Sequence, residues 1–199
     1  MIPDSIKNFI ECFRRLPGFG PRAATRLAFY IANLDERTRN ELTRALHNLQ
    51  TIDRCEHCFF VKEKNENFCI ICKNPQRTKT IVAIVEKDTD VMTMERVREF
   101  NGTYLVLGEL HEQGMLGSVQ KLRLERLKEN IKNLPEEKLE ELIVALNPHT
   151  ISDIIFELIK QDFKELAEKI TRLGRGIPTG GEIEFADEET LRNALKRRI

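Results

Sequence analysis

The chain has no long apolar run. No stretch approaches the roughly 18 consecutive apolar residues that a membrane-spanning helix needs, and the N-terminus has no apolar core of a secretory signal. The expectation is a cytoplasmic protein with no membrane partner. The chain also lacks net charge, with 32 Lys+Arg against 32 Asp+Glu, so bulk composition does not establish binding to a polyanion. It lacks the GxxxxGK[ST] loop, which leaves ATP hydrolysis unsupported. The glycine-rich stretch Gly174-Arg-Gly-Ile-Pro-Thr-Gly-Gly181 has no lysine ahead of a Ser or Thr and reads as a constrained loop. Internal repeats and low-complexity linkers are absent too. What remains is 199 residues, enough to bury a proper core in one domain or a few small ones.

The zero balance hides an asymmetry. Residues 1–54 carry nine Lys+Arg and six Asp+Glu, residues 55–79 five and three, and residues 80–199 eighteen and twenty-three, giving +3, +2 and −5. A polyanion, if bound, meets the N-terminal part.

Cysteine is concentrated. Cys55-Glu-His-Cys58 and Cys69-Ile-Ile-Cys72 are two CxxC turns ten residues apart. Each turn presents two sulfurs on one side of a knuckle, and two knuckles supply four thiolates at tetrahedral geometry, which suits zinc and closes its coordination shell. Such a metal, one per chain, holds structure and performs no chemistry. Disulfides or a redox pair are the alternative. The absent secretory signal and the compact double pair favour zinc. His57, inside the first knuckle, is expected to be exposed and not a ligand, and Cys12, on an apolar helical pattern, to lie in a core.

Along the chain, Ile6, Phe9, Ile10 and Phe13 fall at helical spacing within residues 3–15. Leu16-Pro17-Gly18-Phe19-Gly20-Pro21 breaks that helix, and Pro21 opens a second one through Ala23, Ala24, Leu27, Ala28 and Ile31. A third runs from about Asp35 to Leu49. After the knuckles and Pro75 the pattern changes. Strands are expected at 80–85, 104–107, 142–146 and 170–173, alternating with helices near 91–100, 118–133, 151–167 and 188–198. This alternation indicates an α/β domain on a parallel sheet.

Two places carry chemistry besides the cysteines. Between the first two helices, Gly18 and Gly20 let the backbone turn and approach a ligand closely. The free N–H groups at the start of the second helix favour an anion, and Arg22 and Arg26, four apart, share one face beyond them; Arg14 and Arg15 sit across the turn. Taken alone, these residues fit equally a non-specific phosphate clamp and a solvated basic corner. At the end of the first α/β strand stands Glu86, with Asp88 and Asp90 near. A Mg²⁺ site there needs a second acidic strand end, but the third strand leads into Asn147-Pro148-His149-Thr150. A non-catalytic surface is the favoured reading, and His111 and His149 are loop histidines.

These parts, in this order, resemble the RecR family of bacterial recombination mediators over essentially the whole chain. LPGFGPRAATRLAFYI (16–31) is similar to its helix-hairpin-helix, CEHCFFVKEKNENFCIIC (55–72) to its four-cysteine zinc module, TIVAIVEKDTDVMTME (80–95) to the opening of its Toprim domain and GRGIPTGGEIEF (174–185) to its C-terminal glycine motif. The resemblance implies an α+β chain in four parts: a helix-hairpin-helix at 1–53, a four-cysteine zinc module at 54–77, a Toprim α/β domain at 78–173 and a C-terminal segment with a helix at 174–199. It implies a non-catalytic DNA-repair protein that assembles as dimers or ring-like tetramers. Such a protein binds single- and double-stranded DNA without sequence preference and works with RecO-like and RecF-like proteins to load the strand-exchange recombinase. By the same resemblance the family's basic DNA contacts at the hairpin fall on Arg22 and Arg26, beside Gly18 and Gly20, which the backbone reading adds to the DNA-binding set. The zinc ligands fall on Cys55, Cys58, Cys69 and Cys72, and the partner contact on Glu86. The chain departs from the family after Asn147-Pro148, where no Glu-Gly pair follows, and at 109–120, where the loop is short. The alternative function is a Mg²⁺-dependent Toprim nuclease or primase-like enzyme. A zinc-stabilised protein-interaction module without nucleic acid is a third.

Overall fold

A computed structural model describes residues 2–110, 115–148, 150–174, 176–177 and 179–196. It divides into two compact units, Met1–Ile52 and Asp53–Ile199. The expected boundary at 53 lies beside that division; the expected segments 54–77, 78–173 and 174–199 all fall in the second unit.

The first unit is three helices: α1 (Asp4–Phe13), α2 (Pro21–Ala32) and α3 (Glu36–Asn48), the last extended by a 3₁₀ turn over Leu49–Thr51. Ala24 and Ala28 are buried, and their small side chains let α1 approach α2 closely. Phe9 stacks on Phe13 at 3.9 Å between ring centroids, and Phe13 meets Phe19 edge-on at 6.4 Å, which ties the hairpin loop to α1. Asp35 caps α3 by accepting from the Thr38 N–H at 3.0 Å. Cys12 corrects the expectation of a core cysteine: it is exposed, because the half-buried stripe of α1 runs through Ile6, Phe9, Ile10 and Phe13 and Cys12 lies off it.

Next come a small hairpin of β1 (Ile52–Arg54), which begins on the last residue of the first unit, and β2 (Val61–Glu63), then the single-turn helix α4 (Ile70–Lys73). There follow β3 (Ile81–Val85), α5 (Asp88–Val97), β4 (Thr103–Val106), α6 (Ser118–Lys132), β5 (Leu139–Ala145), α7 (Thr150–Phe163), β6 (Ala167–Arg172) and α8 (Glu188–Lys196). Among the described residues the larger sheet is parallel throughout, in the order β4-β3-β5-β6. This is a Toprim-like α/β fold within an α+β chain. The third strand begins at Leu139, three residues ahead of its apolar run, because Glu140 and Glu141 find partners at the sheet: Thr80 donates to Glu140 at 2.8 Å, and Lys169 and Thr171 serve Glu141. Helix α5 starts at Asp88 because the Asp90 carboxylate accepts from the Lys87 N–H at 2.8 Å and closes its first turn.

Alternation along the strands builds two cores. Val82, Ile84, Leu105 and Val144 join Leu124, Leu127 and Ile131 of α6 and Ile155, Ile159 and Phe163 of α7 on one face. On the other, Ala83, Val85, Tyr104 and Val106 meet Val91 of α5, and the cover is completed by Cys55, Cys58, Cys69 and Ile71. The cysteine module therefore takes the place a further helix would occupy against the sheet.

A polar cluster fastens this module's C-terminal arm. Arg77 forms a two-pronged ion pair with Glu95 and donates to the carbonyls of Phe100 and Gly102 at 3.2 and 3.3 Å. Tyr104 donates to Glu95 at 2.6 Å. Burial, with that bond to the carboxylate, pushes the Tyr104 phenol up, and Glu95 is held below its ordinary value because the Arg77 and Tyr104 contacts outweigh its burial. Arg77→Met leaves a half-buried carboxylate without its cation and is expected to cost about 2–3 kcal/mol at neutral pH. Since the folded pKa of Glu95 is depressed, its stabilisation is present above the unfolded carboxylate value and is lost as pH falls through the folded one. The gap between wild type and variant in urea melts should accordingly narrow on acidification.

Candidate metal centre and phosphate-binding hairpin

The four cysteine sulfurs all lie within 4.8 Å of one another, and the two knuckles meet at Cys58 and Cys69 with 3.4 Å between sulfurs. A tetrahedral zinc with bonds of about 2.3 Å spaces its sulfurs about 3.8 Å apart, so the set fits such an ion. Backbone N–H groups of Cys69, Phe60 and Cys72 point at Cys55, Cys58 and Cys69 at 3.4–3.5 Å, which favours thiolate over thiol. Bonds from Cys58, Cys69 and Cys72 hold the Cys55 thiol well below its ordinary range, while pairing with Cys55 pushes Cys58 and Cys72 far above it. Four thiolates coexist at these distances only around a cation. His57 is exposed, packs edge-on to Phe68 at 5.9 Å and stands outside the sulfur cluster.

The first knuckle requires left-handed backbone at Phe59, φ 60°, whose N–H donates to the Cys55 carbonyl at 2.9 Å. A phenylalanine in this conformation is held by what its ring touches: the Arg123 guanidinium lies over it at 5.0 Å and itself donates to the Val106 carbonyl at 2.9 Å. Further ties bind the module to the α/β domain. The Val106 N–H donates to the Cys58 carbonyl at 2.8 Å, Asn130 donates to the His57 carbonyl at 3.1 Å, and Arg54 binds both oxygens of Asp88 at 2.6 and 2.8 Å.

In the first unit, Gly18 has φ 79°, a turn that a side chain would strain, and a Cβ at Gly18 or Gly20 would meet nothing within 4 Å. The loop is open to a ligand. Gly20 is the N-cap of α2 and no side chain caps that helix; the first backbone bond is Ala24 N–H to the Gly20 carbonyl at 3.0 Å, which leaves the Arg22 and Ala23 amides to an outside acceptor. Arg22 and Arg26 are exposed, and among the described residues neither has a carboxylate partner. Arg14, by contrast, is paired with Glu11 at 2.9 Å. Gly18→Ala is expected to lower stability by about 1 kcal/mol through the positive φ and to weaken phosphate binding further than that cost alone explains. Thermal melts beside binding isotherms separate the two.

The strand-end carboxylates do not converge. Asp88 is held by Arg54, Asp90 by the Lys87 amide, and the Glu86 side chain turns inward. Glu86, read as part of a non-catalytic surface, is only 8% exposed, and its carboxylate accepts from the Leu110 N–H after β4 and from Asn147 after β5. Among the described residues the four cysteines are the one cluster arranged to hold a metal. His111 and His149 lie outside the described residues. The residue that sequence reasoning left without a role is Asn147, whose amide donates to Glu86 at 2.8 Å. The signal was its place at the end of the strand next to the one that Glu86 closes.

The chain is 34% identical to the recombination protein RecR of Chloroflexus aggregans over 201 residues, covering 100% of this chain and 95% of that protein. It belongs to the RecR family. The family model for the RecR helix-hairpin-helix matches residues 6–49, and that for the RecR C-terminal region matches 176–199. The hairpin with Gly18 and Gly20 thus lies in a RecR helix-hairpin-helix, and α8 lies in the RecR C-terminal region. No helix among the described residues is long and apolar enough to cross a membrane.

Proposed function

We propose that the chain is a non-catalytic DNA-binding recombination mediator of the bacterial cytoplasm. The observation that carries this is the uncapped N-terminus of α2, with open space at Gly18 and Gly20 and unpaired Arg22 and Arg26 beside it. Amides and arginines of this kind grip phosphates and read no base edge, so binding extends to single and double strands of any sequence. The metal is zinc, one per chain, closed by Cys55, Cys58, Cys69 and Cys72 and structural, because four protein ligands leave no position for water. A homo-oligomer, dimer or tetrameric ring, suits the first unit, which buries Ala24 and Ala28 but leaves Phe29, Tyr30, Leu42, Leu46 and Leu49 exposed among its described residues. The strand-end surface around Glu86 serves a basic partner, a RecO-like protein and with it a RecF-like one, in loading the strand-exchange recombinase onto single-stranded DNA. The relative's name, a recombination protein, accords with this role.

A mobility shift against labelled single- and double-stranded DNA over a salt series, run beside a plasmid nicking assay with Mg²⁺, tests the reading. Salt-sensitive binding of both forms without nicking is the expected outcome. Magnesium-dependent cleavage lost in Glu86→Ala would promote the Toprim nuclease instead.

A further inference from the structure

We infer that Glu86 is a positioning residue: its buried carboxylate ties Leu110, just after β4, to Asn147, just after β5, across the mouth of the sheet, and the partner reads the backbone so held instead of the charge. This rests on the partner reading above and specifies how that site works.

The sheet order locates the effect. Helix α5 runs from β3 outward to β4, whereas α6 returns past β3 to β5, so the direction of winding reverses between β3 and β5. In open α/β sheets the crevice at that reversal, at the carboxyl ends of the strands, is where ligands enter. Glu86 follows β3 and Asn147 follows β5, and the two side chains are bonded to each other at 2.8 Å, which bridges the crevice. The second Glu86 oxygen accepts from the Leu110 N–H at 3.4 Å, and the Glu86 carbonyl accepts from the Gly108 N–H at 3.0 Å. The Asn147 carbonyl in turn accepts from Ser152 on α7. Next to this bridge opens a cleft of about 520 Å³. Asn147 and Pro148 form part of its wall, with Asp90, Thr93, Arg172 and Thr190 around it.

A carboxylate 8% exposed is poorly placed to attract a partner across solvent. It is well placed to hold two loops, because both its oxygens are occupied and the groups they bind belong to different strand ends. Releasing the carboxylate frees the Leu110 amide on one side and the Asn147-Pro148 wall on the other, while the main-chain bond from Gly108 to the Glu86 carbonyl stays.

The experiment compares Glu86→Ala, Glu86→Gln, Asn147→Ala and the pair Glu86→Gln with Asn147→Asp. Glutamine keeps an acceptor for the Leu110 amide and donates to a turned-over Asn147, and the double replacement exchanges donor and acceptor while preserving the bridge. The first readout needs no partner: amide exchange at Leu110 is expected to accelerate at least tenfold in Glu86→Ala and to stay near wild type in Glu86→Gln. The second is calorimetry against the RecO-type protein of the same organism at about 50 and about 500 mM salt. Glu86→Ala and Asn147→Ala should each lose about tenfold in affinity, equally at both salts, with Glu86→Gln and the exchanged pair close to wild type. Unchanged Leu110 exchange in Glu86→Ala overturns the inference. So does a Glu86→Gln variant that binds as weakly as Glu86→Ala with a loss that vanishes at high salt, since that is the behaviour of a direct charge contact. Failure of the wild-type chain to bind the partner removes the partner reading and leaves the exchange measurement to decide the bridge.

Discussion

Cys58→Ser is expected to lose the metal and to loosen the α/β sheet along with the knuckles. Metal bound by four thiolates contributes its binding free energy directly to folding, an apparent value of about 10–16 kcal/mol in zinc-finger peptides at neutral pH. Here that energy is not confined to residues 55–72. Cys55, Cys58 and Cys69 are buried in the same core as Ala83, Val85, Tyr104 and Val106, and the Cys58 carbonyl holds the Val106 amide. Serine at position 58 removes a ligand and leaves a sheet face uncovered, at a cost of about 4 kcal/mol or more. For a chain of this size that corresponds to a melting temperature lower by about 10 °C. Metal analysis should give less than one zinc per chain, and amides of β3 and β4 should exchange faster. The exposed Cys12 provides the control, since Cys12→Ser should change neither. Full protection of β3 in a metal-free variant would show that the module and the sheet are independent.

The double variant Arg22→Ala, Arg26→Ala should bind DNA on the order of 30-fold more weakly near physiological salt, with folding intact. Both side chains are exposed and without a carboxylate partner among the described residues, so their removal costs no ion pair within the chain. Each neutralised phosphate contributes about 0.7–0.9 to the slope of log affinity against log salt, so the slope should fall by about 1.4–1.8 per chain engaged. The loss should be the same for unrelated sequences, because nothing at the hairpin is aimed at base edges. A variant with wild-type slope would place the DNA contact elsewhere.

Much of this was readable in the sequence, for reasons that differ by element. The cysteine spacing reports its own geometry, because a CxxC turn fixes where two sulfurs can lie, and the sulfurs do assemble. The hairpin was legible because Gly18, Gly20 and Pro21 each have a backbone reason to stand where they do. The parallel strands were legible as apolar runs, though β5 was shortened in that reading by Glu140 and Glu141, whose partners Thr80, Lys169 and Thr171 are distant in sequence. Long-range placement was not legible. No local pattern announces that the order is β4-β3-β5-β6, that the cysteine module covers a sheet face, or that Glu86 turns inward to meet Asn147. Phe59 in a left-handed turn was hidden for the same reason, since what holds it there is Arg123, far along the chain.

The bond from the Val106 amide to the Cys58 carbonyl has a meaning beyond folding energy. Strand β4 is an edge of the sheet, and an edge offers its unpaired backbone to any other chain that can add a strand. The knuckle occupies part of that edge, so an ion held by its four cysteines would also act as a guard against self-association. Chelation is then expected to yield aggregates that grow with protein concentration, seeded through β4, ahead of any dispersed unfolded chain. A purification that lets the metal escape would lose the protein by precipitation, and a trace of zinc in the buffer would keep it in solution.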